Sequence, residues 1–313
     1  MLSTNSVFHP DSSRPFRSES ERVEALVRFY QVIAMYQKND DIKLGGFDRA
    51  RLVQLTYEHC CSQRSQDRFL VTAYHQMGLE YFPDDTELSF DFKDSLYRFA
   101  DHLMNFYFQP FRLWALFKRQ PTAKSSSACL IRDRHKCVVS RKFDVDEAME
   151  RYERHGPEGA VDDDGARLFG TGYNQDRLVV THILPPVDRI YTGNNAVLEL
   201  LDDGVTDTIE GVSNTLTLTA RNEFSFSNFG MFFERVGKEE NTYVIKTFLP
   251  RALNQPLTRT LFVPQDTSID MPSARLLNVH RAMAQILHLS GAGAYIDEKL
   301  DISSSYEVPK SLA

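Results

Sequence analysis

The chain has 313 residues, 42% of them hydrophobic and 25% charged, which is enough apolar material over enough length to bury a sizeable core and excludes disorder as the main state. Lys and Arg number 36 against 43 Asp and Glu, a net charge of −7, so the molecule as a whole is not a basic nucleic-acid coat protein, although a local basic patch is allowed. No run of about 18 apolar residues and no apolar leader at the N-terminus occur, and the expectation is an intracellular protein, in cytoplasm or nucleus, with no membrane partner.

Residues 1–20, rich in Ser, Pro and Arg without apolar periodicity, read as a flexible tail. Over 21–124 the spacing predicts a helical domain. Val23, Leu26, Val27, Tyr30, Ile33 and Ala34 recur three and four apart, and Phe99, Leu103 and Phe106 repeat the pattern before Pro110. The cysteines Cys60, Cys61, Cys129 and Cys137 contain no C-x-x-C pair and read as reduced thiols, not as a disulfide framework or a structural zinc site. The stretch PTAKSSS (121–127) reads as a polar break between domains, with a second domain over 125–313.

Charge changes sharply around this break. Between Arg112 and Lys142 nine basic residues stand against one acidic residue, Asp133. Arg132, Arg134, Lys136, Arg141 and Lys142 are therefore candidate nucleic-acid-binding residues, able to hold a phosphate backbone. From Asp144 to Gly165 the sign reverses, and the DDDG run reads as a solvated loop because the ligand spacing of an EF-hand is missing.

Beyond this, Arg177 to Ile183 is a β-branched run stopped by Pro185 and Pro186, a predicted strand with His182 near its C-terminal end. Asn195–Leu201 is helix-like, Ser213–Thr219 alternates at the strand period, and residues 243–249 form another predicted strand. Phe226, Phe229 and Phe233 are spaced as on a helix, with a helix-to-strand change expected near Gly230. A final helix starts at Pro272-Ser273, carries Leu276, Leu277, His280, Met283, Ile286 and Leu287 on one face, and ends at Gly291. Strands set between two helical parts give an α+β fold.

The residues with the clearest chemical promise are His182 at a strand end, Asn214 at the start of the next strand and the pair Asn222-Glu223 at a following helix. A neutral imidazole can take a proton from water near neutral pH. An asparagine on the neighbouring strand can hold the connecting backbone and so fix the ring. A carboxylate or amide oxygen on the helix can bind a hard divalent cation that stabilises the leaving oxygen of a phosphodiester.

The segments CLIRDRHKCVVSRKFD (129–144), THILP (181–185), NTLTLTARNEFSFSNFGMFFE (214–234), LTRTLF (257–262) and MPSARLLNVHRAMAQILHLSGAGAYI (271–296) resemble, in that order, the fungal HNH endonuclease-domain family. The resemblance covers about residues 125–300. It implies a ββα-metal finger core, flanked here by the N-terminal helical domain and the C-terminal helix. It also implies a metal-dependent endonuclease that hydrolyses nucleic-acid phosphodiesters, DNA in preference to RNA, with Mg²⁺ or Mn²⁺ as cofactor.

Position by position, His182 matches the family's general base and Asn214 its middle asparagine. The family's third position, nine residues after the asparagine, holds Glu223 in place of histidine, with Asn222 as the fallback metal ligand. Thr181 stands where many metal-finger nucleases carry an acidic ligand. The competing expectation is a non-nucleolytic scaffold of the same kind, reused for binding or for small-molecule chemistry such as that of a cyclase or isomerase.

Overall fold

Several helices in this chain begin where a short polar side chain can accept the first unpaired N–H groups. Ser18, Asp48, Ser62, Thr122, Asp144 and Thr219 each accept a hydrogen bond from a backbone N–H two or three residues on. Thr122 corrects one expectation. The PTAKSSS stretch is not a linker, because Pro121 and Thr122 start the helix Ala123–Arg132 and the serines lie in its first turns. The computed structural model describes residues 16, 18–37, 46–79, 91–116, 121–170, 174–186, 192–248, 257–264 and 266–300. Most of the 1–20 tail lies outside the described residues.

The fold is α+β, and the chain divides into two units. The first takes in residues 1–113, 190–204 and 285–313. Its helices Glu19–Tyr36, Arg49–Glu58, Gln63–Met77 and Asp91–Leu103 close around Phe29, Phe69, Tyr74 and Phe99, all nearly or fully buried. The later segments join this helical unit by specific bonds. Cys61 N donates to Leu201 O at 2.7 Å, Asp48 N donates to Ser290 O at 2.9 Å, and Arg112 forks onto the Asp297 carboxylate with two contacts of 3.0 Å. Among the described residues no helix is long and apolar enough to cross a membrane.

The second unit, residues 114–189 and 205–284, holds the strands. β1 (Phe143–Asp144) pairs in parallel with β2 (Gln175–Asp176), and β3 (Leu178–His182) pairs antiparallel with β4 (Thr215–Thr219). β5 (Met231–Arg235), β6 (Thr242–Thr247) and β7 (Leu257–Thr260) form an antiparallel sheet in that order. The helix Ala220–Ser227 leaves β4 directly and packs on both β3 and β4, a ββα arrangement. The expected change near Gly230 takes the form of this helix ending at Ser227 and β5 starting at Met231.

His280 anchors the core of the second unit. Its ring stacks on Phe226 with centroids 3.8 Å apart, its Nε2–H donates to the Phe226 carbonyl at 3.1 Å, and its Nδ1 is buried with no partner. Burial pushes its pKa from 6.5 down to about 3, opposed only weakly by the bond to Phe226. The unfolded chain therefore binds a proton on this ring before the folded chain does. The stability gained from the neutral ring is complete above about pH 6.5 and drains away as pH falls toward about 3. Urea unfolding of the wild type at pH 7 and pH 5 is expected to show a loss about 2 kcal/mol greater than that of His280→Gln. Equal losses in the two proteins would show that this ring is not the acid-sensitive group.

Candidate functional site

β3 brings His182 to the last register position of its pairing with β4, opposite Thr215. Ile183 and Leu184 bend as the chain leaves the strand, and Pro185 and Pro186 follow them. That corner is bolted to the start of β4 by Asn214, which is completely buried. Leu184 N donates to Asn214 Oδ1 at 2.9 Å and Asn214 Nδ2 donates to Leu184 O at 2.8 Å, while Ile183 N donates to Asn214 O at 2.9 Å. One carboxamide thus satisfies both backbone groups of Leu184. No aliphatic side chain could do this, and a carboxylate could not donate. The half-buried His182 is held immediately before this clamp.

The helix Ala220–Ser227 carries the third position. Thr219 caps it, accepting from Asn222 N at 3.3 Å, and Glu223 lies in the first turn, where the helix dipole favours a negative charge. Glu223 is only 7% exposed, and its Oε1 accepts from the Ser227 hydroxyl at 2.7 Å. Asn222 points its Nδ2 at Cys137 Sγ, 3.4 Å away. Among the described residues no group of three or more His, Cys, Asp or Glu gathers as a ready-made metal cage.

The five basic residues separate into distinct roles. Arg132 is fully buried and is not available to a phosphate backbone, which corrects the expectation drawn from the charge run. Its guanidinium donates to both carboxylate oxygens of Asp133 at 2.8 and 2.9 Å, to Val212 O at 2.9 Å and to Thr215 O at 2.8 Å. Lys136 is also buried, with Nζ 2.8 Å from Asp162 and 2.7 Å from Asp164. Burial works against its charge, but the hydrogen bonds to these two carboxylates outweigh it and hold the pKa above the ordinary value. The same bond lowers Asp162 despite its partial burial. The DDDG stretch is an exposed loop, as expected, and it also supplies counter-charge to the basic run.

Arg134 is half-buried, 3.1 Å from Asp164, and Lys142 lies 2.9 Å from Asp176 with nearly half its side chain exposed. Arg141 differs from all of these. It donates to the Thr260 carbonyl, its guanidinium carbon lies 4.2 Å from the centre of the Phe262 ring, and its Nη1 is buried without a hydrogen-bond partner. Arg259 lies close enough to oppose its charge, a residue the sequence reading passed over because it sits outside the basic run. The signal that could have found it is the alternation in LTRT, which makes β7 and turns Arg259 and Leu257 to the more buried side.

A cleft of about 530 Å³ opens beside β1 and β2, walled by Lys136, Arg141, Phe143, Phe169, Asn174 and Gln175 among others. Cys129 and Cys137 are both fully buried, and burial together with Asp133 pushes the Cys129 thiol up to about 12, so Cys129 offers no nucleophile. All four cysteines are free thiols. Comparison with known proteins finds no family model, no curated protein and no solved structure that matches the chain.

Proposed function

We propose that the second unit is a metal-dependent HNH-type phosphodiesterase acting on nucleic acid inside the cell, DNA in preference to RNA, with His182 as general base. The observation that carries the proposal is the Asn214 clamp, which fixes the backbone directly after His182 through two side-chain hydrogen bonds and one backbone hydrogen bond. A base positioned in this way can take a proton from an attacking water without first ordering its own loop.

Glu223 and Asn222 are the donors for a cation. Mg²⁺ and Mn²⁺ are hard ions, and Mg²⁺ keeps several waters while taking one or two carboxylates plus substrate phosphate oxygens. Glu223 offers one buried carboxylate and Asn222, the residue before it on the helix, an amide oxygen, donors of the hard kind that such an ion takes and not the set that zinc takes. When bound, the ion supplies charge stabilisation for the leaving oxygen. Arg134 and Lys142, each partly exposed and held by one carboxylate, can exchange that carboxylate for a backbone phosphate.

The test is plasmid nicking at low salt with Mg²⁺ or Mn²⁺, for the wild type beside Glu223→Gln. Glutamine keeps an oxygen for the Ser227 hydroxyl, so the variant is expected to fold normally while cutting at least about tenfold more slowly and needing more metal. Absence of nicking with either ion, or equal cutting by the variant, would overturn the assignment. A second reading, a scaffold that binds a small molecule, is favoured by one observation, the 530 Å³ cleft in the same unit.

A further inference from the structure

We infer that the helix Val145–Gly159 of the second unit is a docking surface for a basic amphipathic helix of another protein. The surface uses none of His182, Asn214 and Glu223, so the inference does not rest on the hydrolytic reading. Asp144 caps the helix, accepting from Asp146 N and Glu147 N at 3.1 and 3.0 Å, and the chain kinks at Gly156, just before Pro157. Up to that kink the helix is braced by pairs four residues apart, Arg151 with Glu147 at 2.8 Å and Arg154 with Glu150 at 3.3 Å. Of the residues 145–159 only Ala148 is buried, in a small core with Phe143 and Leu168.

Two rows run side by side along the helix. Val145, Met149 and Tyr152 are spaced i, i+4, i+7, the period of an apolar helix face, and Asp146, Glu150 and Glu153 repeat the same spacing one residue on. An apolar row of this kind ordinarily faces a core. Here it faces outward: Met149 is 47% and Tyr152 39% exposed, and Val145 is half-buried. The half-buried Phe169 ring, 5.0 Å from that of Tyr152, adds to the same apolar strip. Burial of one face is the usual source of a helix's stability in a protein, and along this row it is left for a partner to supply.

Charge decides what can cover the strip. Asp146, Glu150 and Glu153 are all exposed, and the stretch from Asp144 to Gly165 holds nine acidic against two basic residues, an excess equal to the net charge of −7 of the whole chain. Nucleic acid and acidic membrane surfaces are repelled from such a face. A second copy docking by the same face would set acidic row near acidic row across a two-fold axis, a like-charge contact that opposes pairing. A helix with an apolar row flanked by Lys or Arg meets both rows at once, covering Met149 and Tyr152 while its cations reach the carboxylates. Those cations have little to displace. Asp146 lies 4.0 Å from Arg177 and Glu150 3.3 Å from Arg154, both pairs open to solvent and of the kind that contributes little by itself.

The experiment is titration calorimetry of the full chain with a synthetic helical peptide that carries leucines at i, i+4, i+7 and lysines at the flanking positions, beside the same peptide with glutamates in place of the lysines. It is repeated for Met149→Gln and for the double variant Glu150→Gln, Glu153→Gln. All three side chains are exposed, so both variants are expected to fold as the wild type does. The lysine peptide is expected to bind the wild type and to lose at least about fivefold in affinity in each variant, and the glutamate peptide is expected not to bind. No binding of the lysine peptide at millimolar concentration would overturn the inference. So would affinity unchanged in either variant, or equal binding of the glutamate peptide. Light scattering that shows a dimer of the wild type and a monomer of Met149→Gln would overturn it as well, because the occupant would then be a second copy.

Discussion

His182→Ala is expected to reduce nicking by about 10²–10⁴-fold in the folded protein while the Asn214 clamp stays closed. The asymmetry follows from where the residue sits. The ring is half-buried at the end of β3, and the corner after it is closed by hydrogen bonds between Asn214 and the backbone of Ile183 and Leu184. Removing the ring takes away a proton acceptor and leaves the clamp intact. A loss of that size corresponds to about 3–5 kcal/mol on the barrier, the range for a positioned general base. Turnover by the variant within about threefold of the wild type would show that another group takes the proton, and a large fall in the urea midpoint would show that the residue is structural.

Much of the second unit can be read from local pattern. Val179, Val180 and Thr181 ahead of a double proline become β3, the alternating Ser213–Thr219 run becomes β4, and Phe226 and Phe233 fall on either side of the change at Gly230. The alternation in β4 does not mark one exposed face. Every residue of β4 is buried, because the threonine hydroxyls find partners inside: Thr215 Oγ1 donates to Val212 O at 2.7 Å, and Thr217 Oγ1 meets Cys129 Sγ at 3.3 Å. Threonines that alternate with leucines can face inward wherever the fold supplies an acceptor.

The candidate site was legible to a similar degree. His182 and Asn214 stand out by type and place, and the structure joins their neighbourhoods through Leu184. The charge run was less informative, since a count of Lys and Arg cannot tell which of them meet acids far along the chain. Lys136 finds Asp162 and Asp164, more than twenty residues away, whereas Arg132 finds Asp133 next to it and disappears into the core. The discontinuity of the first unit is invisible for the same reason. The bond from Cys61 to Leu201 spans a sequence distance over which no local periodicity carries information.

Arg132→Met is expected to destabilise the second unit by about 3–5 kcal/mol, the usual cost of breaking a buried ion pair from one side. The guanidinium joins the end of the helix Ala123–Arg132 to the Val212 and Thr215 carbonyls, and its partner Asp133 accepts from Thr217 N at 3.1 Å. Together they occupy the edge of β4 that β3 does not, as does Val138 N, which donates to Thr217 O at 3.0 Å. Methionine keeps most of the side-chain volume but strands the Asp133 carboxylate in the core and takes from the Thr215 carbonyl its arginine donor, while Val212 O keeps the Thr215 hydroxyl. The double variant Arg132→Met, Asp133→Asn removes the stranded charge and is expected to recover part of the loss, so the pair can be separated from simple packing by a double-mutant cycle in urea. A single-variant loss below about 1 kcal/mol would mean that the pair is not what holds β4 in place. Because β4 carries Thr215 opposite His182 and is entered directly from Asn214, the same substitution is expected to lower nicking in the folded fraction as well. That decline links the buried arginine to the site it supports without ever touching a phosphate.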